Sequence, residues 1–149
     1  MIVQGSGDLL DAEVDALVNA VNCVGVMGKG LALQFKQRFP EYFATYASAC
    51  AAGEVRLGRV HVVEVGRPRW IVSFPTKGHF RSRSKLSDVA DGLDDLARVI
   101  AELGIRSIAV PALGAGLGGL NWDAVEPLIV EKLGSLDATV TLYRPGSRP

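Results

Sequence analysis

Apolar, β-branched runs and stretches of helical period take turns along this chain, the alternation that builds a sheet covered by helices. The runs predict strands at Ile2 to Gln4, Asp15 to Val21, Arg59 to Val65, Trp70 to Phe74, Ser107 to Pro111 and Thr139 to Tyr143. The clearest helical signal lies between Leu86 and Leu103, where Leu86, Val89, Leu93, Leu96, Ile100 and Leu103 recur at alternating steps of three and four. One apolar stripe therefore faces a sheet, and Gly104 supplies the left-handed residue that commonly ends a helix. Further helices are expected at Gly30 to Arg38, Pro40 to Ala51 and Trp122 to Leu133, the last with Asn121 as its N-cap. No segment repeats another. Residues 1–144 read as one domain, and Pro145 to Pro149 as a tail or the beginning of a linker.

The chain has 149 residues, 48% of them hydrophobic, which suffices for one sizeable core. Sixteen basic and sixteen acidic residues cancel, so a nucleic-acid partner would have to be met by a local patch. The apolar stretches fall far short of the roughly 20 residues that span a bilayer. The start, Met1-Ile2-Val3-Gln4-Gly5, lacks the basic and apolar regions of a signal peptide. A soluble cytoplasmic protein without a membrane partner is expected. Cys23, Cys50, His61 and His79 do not fall at zinc-ligand spacing, so we expect reduced thiols, no metal and no cofactor.

Two segments pass from a strand through several glycines into a helix. The first is Val18-Asn19-Ala20-Val21-Asn22-Cys23-Val24-Gly25-Val26-Met27-Gly28-Lys29-Gly30, and the second Val110-Pro111-Ala112-Leu113-Gly114-Ala115-Gly116-Leu117-Gly118-Gly119-Leu120. Glycine lets backbone N–H groups approach an anion closely, and a following helix N-terminus adds favourable partial charge. Two such loops suggest a clamp around a diphosphate; the alternative is a pair of ordinary tight turns. Lys29 is followed by Gly30 rather than Ser or Thr, so the first loop is not a P-loop, and its G-x-x-G-x-G spacing does not fit the dinucleotide fingerprint.

Gly7-Asp8-Leu9-Leu10, Asn19-Ala20-Val21-Asn22 and the second glycine loop, in that order, resemble the macrodomain family over essentially the whole chain. The resemblance implies a three-layer α/β/α fold around a mixed sheet, with ADP-ribose lying across the strand ends. It implies that Asp8 accepts from the adenine amino group, although Asp8 also suits a helix cap, and that Asn19 and Asn22 face the distal ribose. Gly28, Lys29 and Gly30 of the first loop and Leu113, Gly114, Ala115, Gly116, Leu117, Gly118 and Gly119 of the second would hold the diphosphate and distal ribose. Leu9 and Tyr143 complete the implied contacts. Carboxylates accept from exocyclic amines, amides satisfy sugar hydroxyls and backbone donors hold phosphate, so the chemistry agrees with the residue types.

At Asn22-Cys23-Val24-Gly25-Val26-Met27-Gly28-Lys29-Gly30-Leu31-Ala32 and Phe74-Pro75-Thr76-Lys77-Gly78-His79-Phe80 the likeness narrows to macrodomains of the DarG type. These antitoxins reverse the ADP-ribosylation of thymidine in single-stranded DNA by DarT-type toxins. That implies a hydrolase of the N-glycosidic bond, ADP-ribosylated single-stranded DNA as substrate and a DarT-type toxin as functional partner. The toxin-binding domain of such antitoxins is not expected within this chain. Related macrodomains that cleave ADP-ribose from glutamate share a lysine after a strand and carry a catalytic aspartate in the second loop. Gly118 and Gly119 stand there in this chain, which leaves Lys77 as the main catalytic candidate.

Around Lys77 the chain is basic and free of acids as far as Lys85, with His79 and Phe80 followed by Arg81 and Arg83. Cations attract a phosphate backbone and an aromatic ring offers a stacking surface for an unpaired base, so His79, Phe80, Arg81 and Arg83 are candidate DNA contacts. The alternative is a solvated loop. Cys23 neighbours Asn22 and is a conceivable nucleophile, but free cysteine more often behaves as a small hydrophobe. His61, within an alternating strand, reads as structural. Two further functions remain open at this point: a module that binds ADP-ribose without cleaving it, and a hydrolase of another ADP-ribose conjugate, such as a modified protein or an acetylated ADP-ribose.

Overall fold

A computed structural model describes residues 1–145; the expected tail lies, from residue 146 onward, outside the described residues. The strands are β1 (Ile2–Gln4), β2 (Ala16–Val21), β3 (His61–Glu64), β4 (Trp70–Pro75), β5 (Ser107–Val110) and β6 (Thr139–Leu142). The helices are α1 (Gly30–Arg38), α2 (Pro40–Ala51), α3 (Leu86–Leu103) and α4 (Trp122–Leu133). All six strands join one sheet in the order β1-β6-β5-β2-β4-β3, parallel throughout except for β3, which runs antiparallel to β4 at one edge.

Strand β2 shows why this is a three-layer fold. Successive side chains alternate between the faces of a sheet. Ala16, Val18 and Ala20 pack with Val89, Leu93 and Leu96 of α3 and Val125 and Ile129 of α4. Leu17 and Val21 pack on the other side with Phe35 of α1 and Tyr42 and Tyr46 of α2. Both faces of the sheet are therefore covered, as a near-continuous apolar strand requires.

The helices occupy their expected bounds. Gly104 ends α3 at φ 64°, and Asn121 caps α4 by accepting from the Asp123 N–H at 2.9 Å. Within α3 the stripe is shorter than its period suggests, because Leu86 and Leu103 lie exposed at the ends. Gly92 joins the buried face instead, where a Cβ would stand 2.5 Å from the Phe74 ring. Strands β2, β3, β5 and β6 begin or end inside their expected limits, and β4 runs one residue further, to Pro75. The Asp15 carboxylate accepts from the N–H groups of Arg106 and Ser107, tying the entrances of β2 and β5 together, while its main chain bonds to Ser107 and Trp70 one residue ahead of β2. The Val60 N–H turns to the Asp95 carboxylate of α3, and β3 starts one residue later. Pro111 has no N–H to extend β5. Among the described residues no helix is long and apolar enough to cross a membrane.

Candidate functional site at the strand ends

Five parallel strands release their chains at one edge of the sheet. Along that edge the order β1-β6-β5-β2-β4 sets side by side the Asp8 turn, Tyr143, the second glycine loop, the first glycine loop and the segment from Lys77 to Lys85. Four inter-strand steps of about 4.8 Å make this row roughly 19 Å long. Strands β2 and β5 pair only at Ala16 with Ile108 and Leu17 with Ala109, whereas β2 pairs with β4 over its whole length. Beyond Leu17 the two strands part. Their onward connections also leave in opposite directions, β2 toward β4 and β5 toward β6, the arrangement that places ligands in open α/β sheets. The two glycine loops flank this crevice, and the Leu117 side chain comes within 3.8 Å of where a Gly30 Cβ would stand.

Both loops present unused donors. Helix α1 starts at Gly30 (φ 56°) behind an N-cap, Lys29, whose side chain makes no capping bond, and its first turn carries no acidic residue. The helix therefore ends in uncapped N–H groups with positive partial charge. In the second loop Ala115, Gly119 and Leu120 donate to the carbonyls of Ala112, Gly116 and Gly114. The N–H groups of Gly116, Leu117 and Gly118 have no protein acceptor among the described residues. Leu113 is fully buried and spends its N–H on Pro111, so it shapes this loop from beneath.

At one end of the row Asp8 is exposed and caps a 3-10 turn, Leu9–Asp11, with one oxygen accepting from the Leu10 N–H at 2.9 Å. The capping role that Asp8 also suits is thus met, on a short 3-10 turn rather than an α-helix. Leu9 is buried in the core. The Tyr143 ring lies against Gly5, where any Cβ would come within 2.8 Å of it. Burial, with the negative charges of Asp8 and Asp11, pushes the Tyr143 hydroxyl upward, so it remains a neutral donor.

At the other end Lys77 follows β4 and donates to the Phe80 carbonyl at 3.1 Å. Its turn is fastened to the first loop by the Cys23 N–H, which donates to the Gly78 carbonyl at 3.1 Å. His79 and Phe80 stack at 4.1 Å between ring centroids, and the Arg81 guanidinium lies 5.7 Å from the Phe80 ring. Phe80 is 42% exposed, leaving much of this stack open to solvent. Arg83 differs from Arg81, because its Nη2 donates to the Gly119 carbonyl at 3.3 Å. The next residue, Ser84, is buried and donates its N–H to Gly118, so the basic segment also buttresses the second loop.

Two expected residues need correction. Asn19 does not face the crevice: it is fully buried on the α2 side of β2, donating to the Tyr42 hydroxyl at 3.2 Å. The strand period forces this, since Asn19 shares a face with Leu17 and Val21. Asn22 is 6% exposed, and its amide is engaged with the backbone of the first loop rather than held out to a ligand. Cys23 is half-buried, and burial, followed by nearby Cys50 and Asp88, raises its thiol pKa, which opposes a thiolate nucleophile. Two concavities of about 400 and 390 Å³ lie on the far side, between α2 and β3, and His61 lines one of them. The second reaches the N-terminal end of α2, but neither is lined by a glycine loop. Position at the diverging strand ends, rather than volume, distinguishes the crevice.

A five-stranded parallel edge with paired glycine loops over a β2–β5 crevice defines a class, and the Macro domain model matches residues 18–129. The chain belongs to the macrodomain family. Within it, the chain is similar to the macrodomain of Mycobacterium tuberculosis DarG, with 53% identity and a TM-score of 0.95 over 98% of this chain and 99% of that one. It is 54% identical over 99% of its length to the M. tuberculosis protein named DNA ADP-ribosyl glycohydrolase, but spans only 44% of that relative. Thermosipho africanus DarTG in complex with ADP-ribose matches with 35% identity and a TM-score of 0.89, covering 96% of this chain and 41% of that one.

Proposed function

We propose that the strand-end crevice binds ADP-ribose and that the protein hydrolyses the bond joining ADP-ribose to thymidine in single-stranded DNA, opposing a DarT-type toxin. The observation that carries this reading is the linear order of the row. Asp8 and Tyr143, then two loops of unused N–H donors, then Lys77, then an exposed aromatic stack among cations match, end to end, an adenine, a diphosphate, a distal ribose and a DNA strand. The free oxygen of Asp8 accepts from the adenine amino group, with Leu9 and Tyr143 beside it. Gly28, Lys29 and Gly30 and the N–H groups of Gly116, Leu117 and Gly118 hold the diphosphate, in loops shaped by Leu113, Gly114, Ala115 and Gly119.

Lys77 stands where the distal ribose meets the base. In hydrolysis the bond from the anomeric carbon to the thymine nitrogen breaks, water supplies the new hydroxyl, and a proton passes to the departing base. The Lys77 ammonium helps by donating to that base, or, as a free amine, attacks the opened sugar and is later released by water. Its present acceptor is a single backbone carbonyl, so little holds it from a substrate. His79, Phe80 and Arg81 take the flanking nucleotides by stacking and charge.

The names of similar proteins support this reading for a chain alike over nearly its whole length. The test is incubation with an oligonucleotide carrying ADP-ribosyl-thymidine, alongside a glutamate-linked ADP-ribosyl protein and an acetylated ADP-ribose. Release from the oligonucleotide alone is expected. Binding of free ADP-ribose with no release from any conjugate would instead identify a reader module.

A further inference from the structure

We propose that Tyr46, a core residue of α2, is a positioning residue for the first glycine loop and acts through Asn22. The inference rests on the crevice being the ADP-ribose site. Helix α2 carries Tyr42 and Tyr46 one turn apart, both almost fully buried, and their hydroxyls have different partners. The Tyr42 hydroxyl meets the Ser73 hydroxyl of β4 at 2.5 Å and accepts from Asn19, so it bonds within the core. The Tyr46 hydroxyl reaches the root of the loop, donating to the Asn22 carbonyl at 2.7 Å and the Asn22 side-chain oxygen at 3.0 Å.

That side chain in turn holds the loop. Its oxygen accepts from the N–H groups of Val24 at 3.0 Å and Val26 at 3.4 Å, and its nitrogen donates to the Val26 carbonyl at 2.8 Å. One amide thus fixes three backbone groups over the residues that lead into Gly28, Lys29 and the open end of α1. An asparagine amide can turn over, exchanging oxygen and nitrogen, and such a turn would set like groups against like in all three bonds. The Tyr46 hydroxyl bridges the carbonyl and the side-chain oxygen of Asn22, and so ties this amide to the strand end from which the loop departs. Burial drives the Tyr46 pKa up, so the hydroxyl keeps its proton. A phenylalanine would fill the same core space without a polar group to desolvate, so the hydroxyl answers a need of the loop.

Calorimetric titration of ADP-ribose into Tyr46→Phe and Tyr42→Phe tests this, with thermal unfolding of each measured beside it. Both variants lose a buried hydroxyl and should lose stability. Only Tyr46→Phe should raise the Kd for ADP-ribose, by about tenfold, the scale of one buried hydrogen bond. Tyr42→Phe should stay within about twofold, as a change remote from a ligand does. Unchanged affinity in a folded Tyr46→Phe, or equal loss in both variants, would overturn the assignment. Should Tyr46→Phe not fold, amide exchange in the unsubstituted protein decides: Val24 must be protected relative to Met27 of the same loop, and equal exchange would overturn the lock. Failure of the unsubstituted protein to bind ADP-ribose would reject the crevice reading itself, a distinct result.

Discussion

Gly116 and Gly118 stand two residues apart in the second loop and should fail in different ways. A Cβ on Gly118 would lie 2.2 Å from the Ser84 hydroxyl oxygen and 2.7 Å from the Gly114 carbonyl oxygen. One of those neighbours is backbone, and the other belongs to Ser84, which is buried and held to this loop by its N–H, so Gly118→Ala is an overpacking change worth roughly 1–3 kcal/mol. For a domain of this size that lowers Tm by roughly 3–10 °C. Gly116 has nothing within 4 Å of its missing Cβ, so Gly116→Val should fold with a Tm within about 2 °C of the parent. Its side chain instead fills the space before the free N–H groups of residues 116 to 118. Each lost hydrogen bond to a charged phosphate costs roughly 1.5–3 kcal/mol, so Kd for ADP-ribose should rise about ten- to hundredfold. Calorimetry and thermal unfolding on the two variants separate the effects. A Gly116→Val protein that is stable and binds ADP-ribose normally would refute the claim that these donors hold the diphosphate.

Arg81→Gln should weaken binding of modified oligonucleotide, lower the slope of log K against log salt by about one, and leave free ADP-ribose unaffected. Arg83→Gln should weaken both ligands, because Arg83 also holds the Gly119 carbonyl; titrations at several salt concentrations distinguish the two. Cys23→Ala should retain the release rate within a few fold, since burial disfavours its thiolate, and a total loss in single-turnover assays would restore the thiol as a candidate. Burial lowers the His61 pKa below its ordinary 6.5, so near that pH the unfolded chain takes up a proton that the folded chain refuses. Stability from this group is therefore lost as pH falls below about 6.5, and His61→Gln should flatten the decline of the urea midpoint between about pH 7 and pH 5.5.

The helices and both glycine loops were legible in the sequence because period, caps and glycine spacing are local signals. Asn121 and Gly104 mark their helix ends with side-chain and backbone chemistry that no distant contact alters. Asn19 was misplaced because a motif was read as a block, although the two-residue period of β2 already set it on the face of Leu17 and Val21. The separate duties of Arg81 and Arg83 were hidden, since they depend on the second loop folding back against Ser84 from 34 residues later. Tyr46 was equally silent. Its spacing from Tyr42 signals a shared helix face, and only the path of the first loop across α2 reveals what the hydroxyl holds.

The central claim is that Lys77, at the end of the row, breaks the bond between ADP-ribose and DNA. Single-turnover release of ADP-ribose from an oligonucleotide bearing one ADP-ribosyl-thymidine, compared between the unsubstituted protein and Lys77→Ala, tests it most directly. Lys77→Ala removes one partly exposed bond to the Phe80 carbonyl, so the variant should fold and bind ADP-ribose within a few fold of the parent. Its release rate should fall by about 10²–10⁴, the usual contribution of a positioned proton donor, and borohydride should trap a Lys77 adduct only if the covalent route operates. Release at near the parental rate by a folded Lys77→Ala protein would contradict the account.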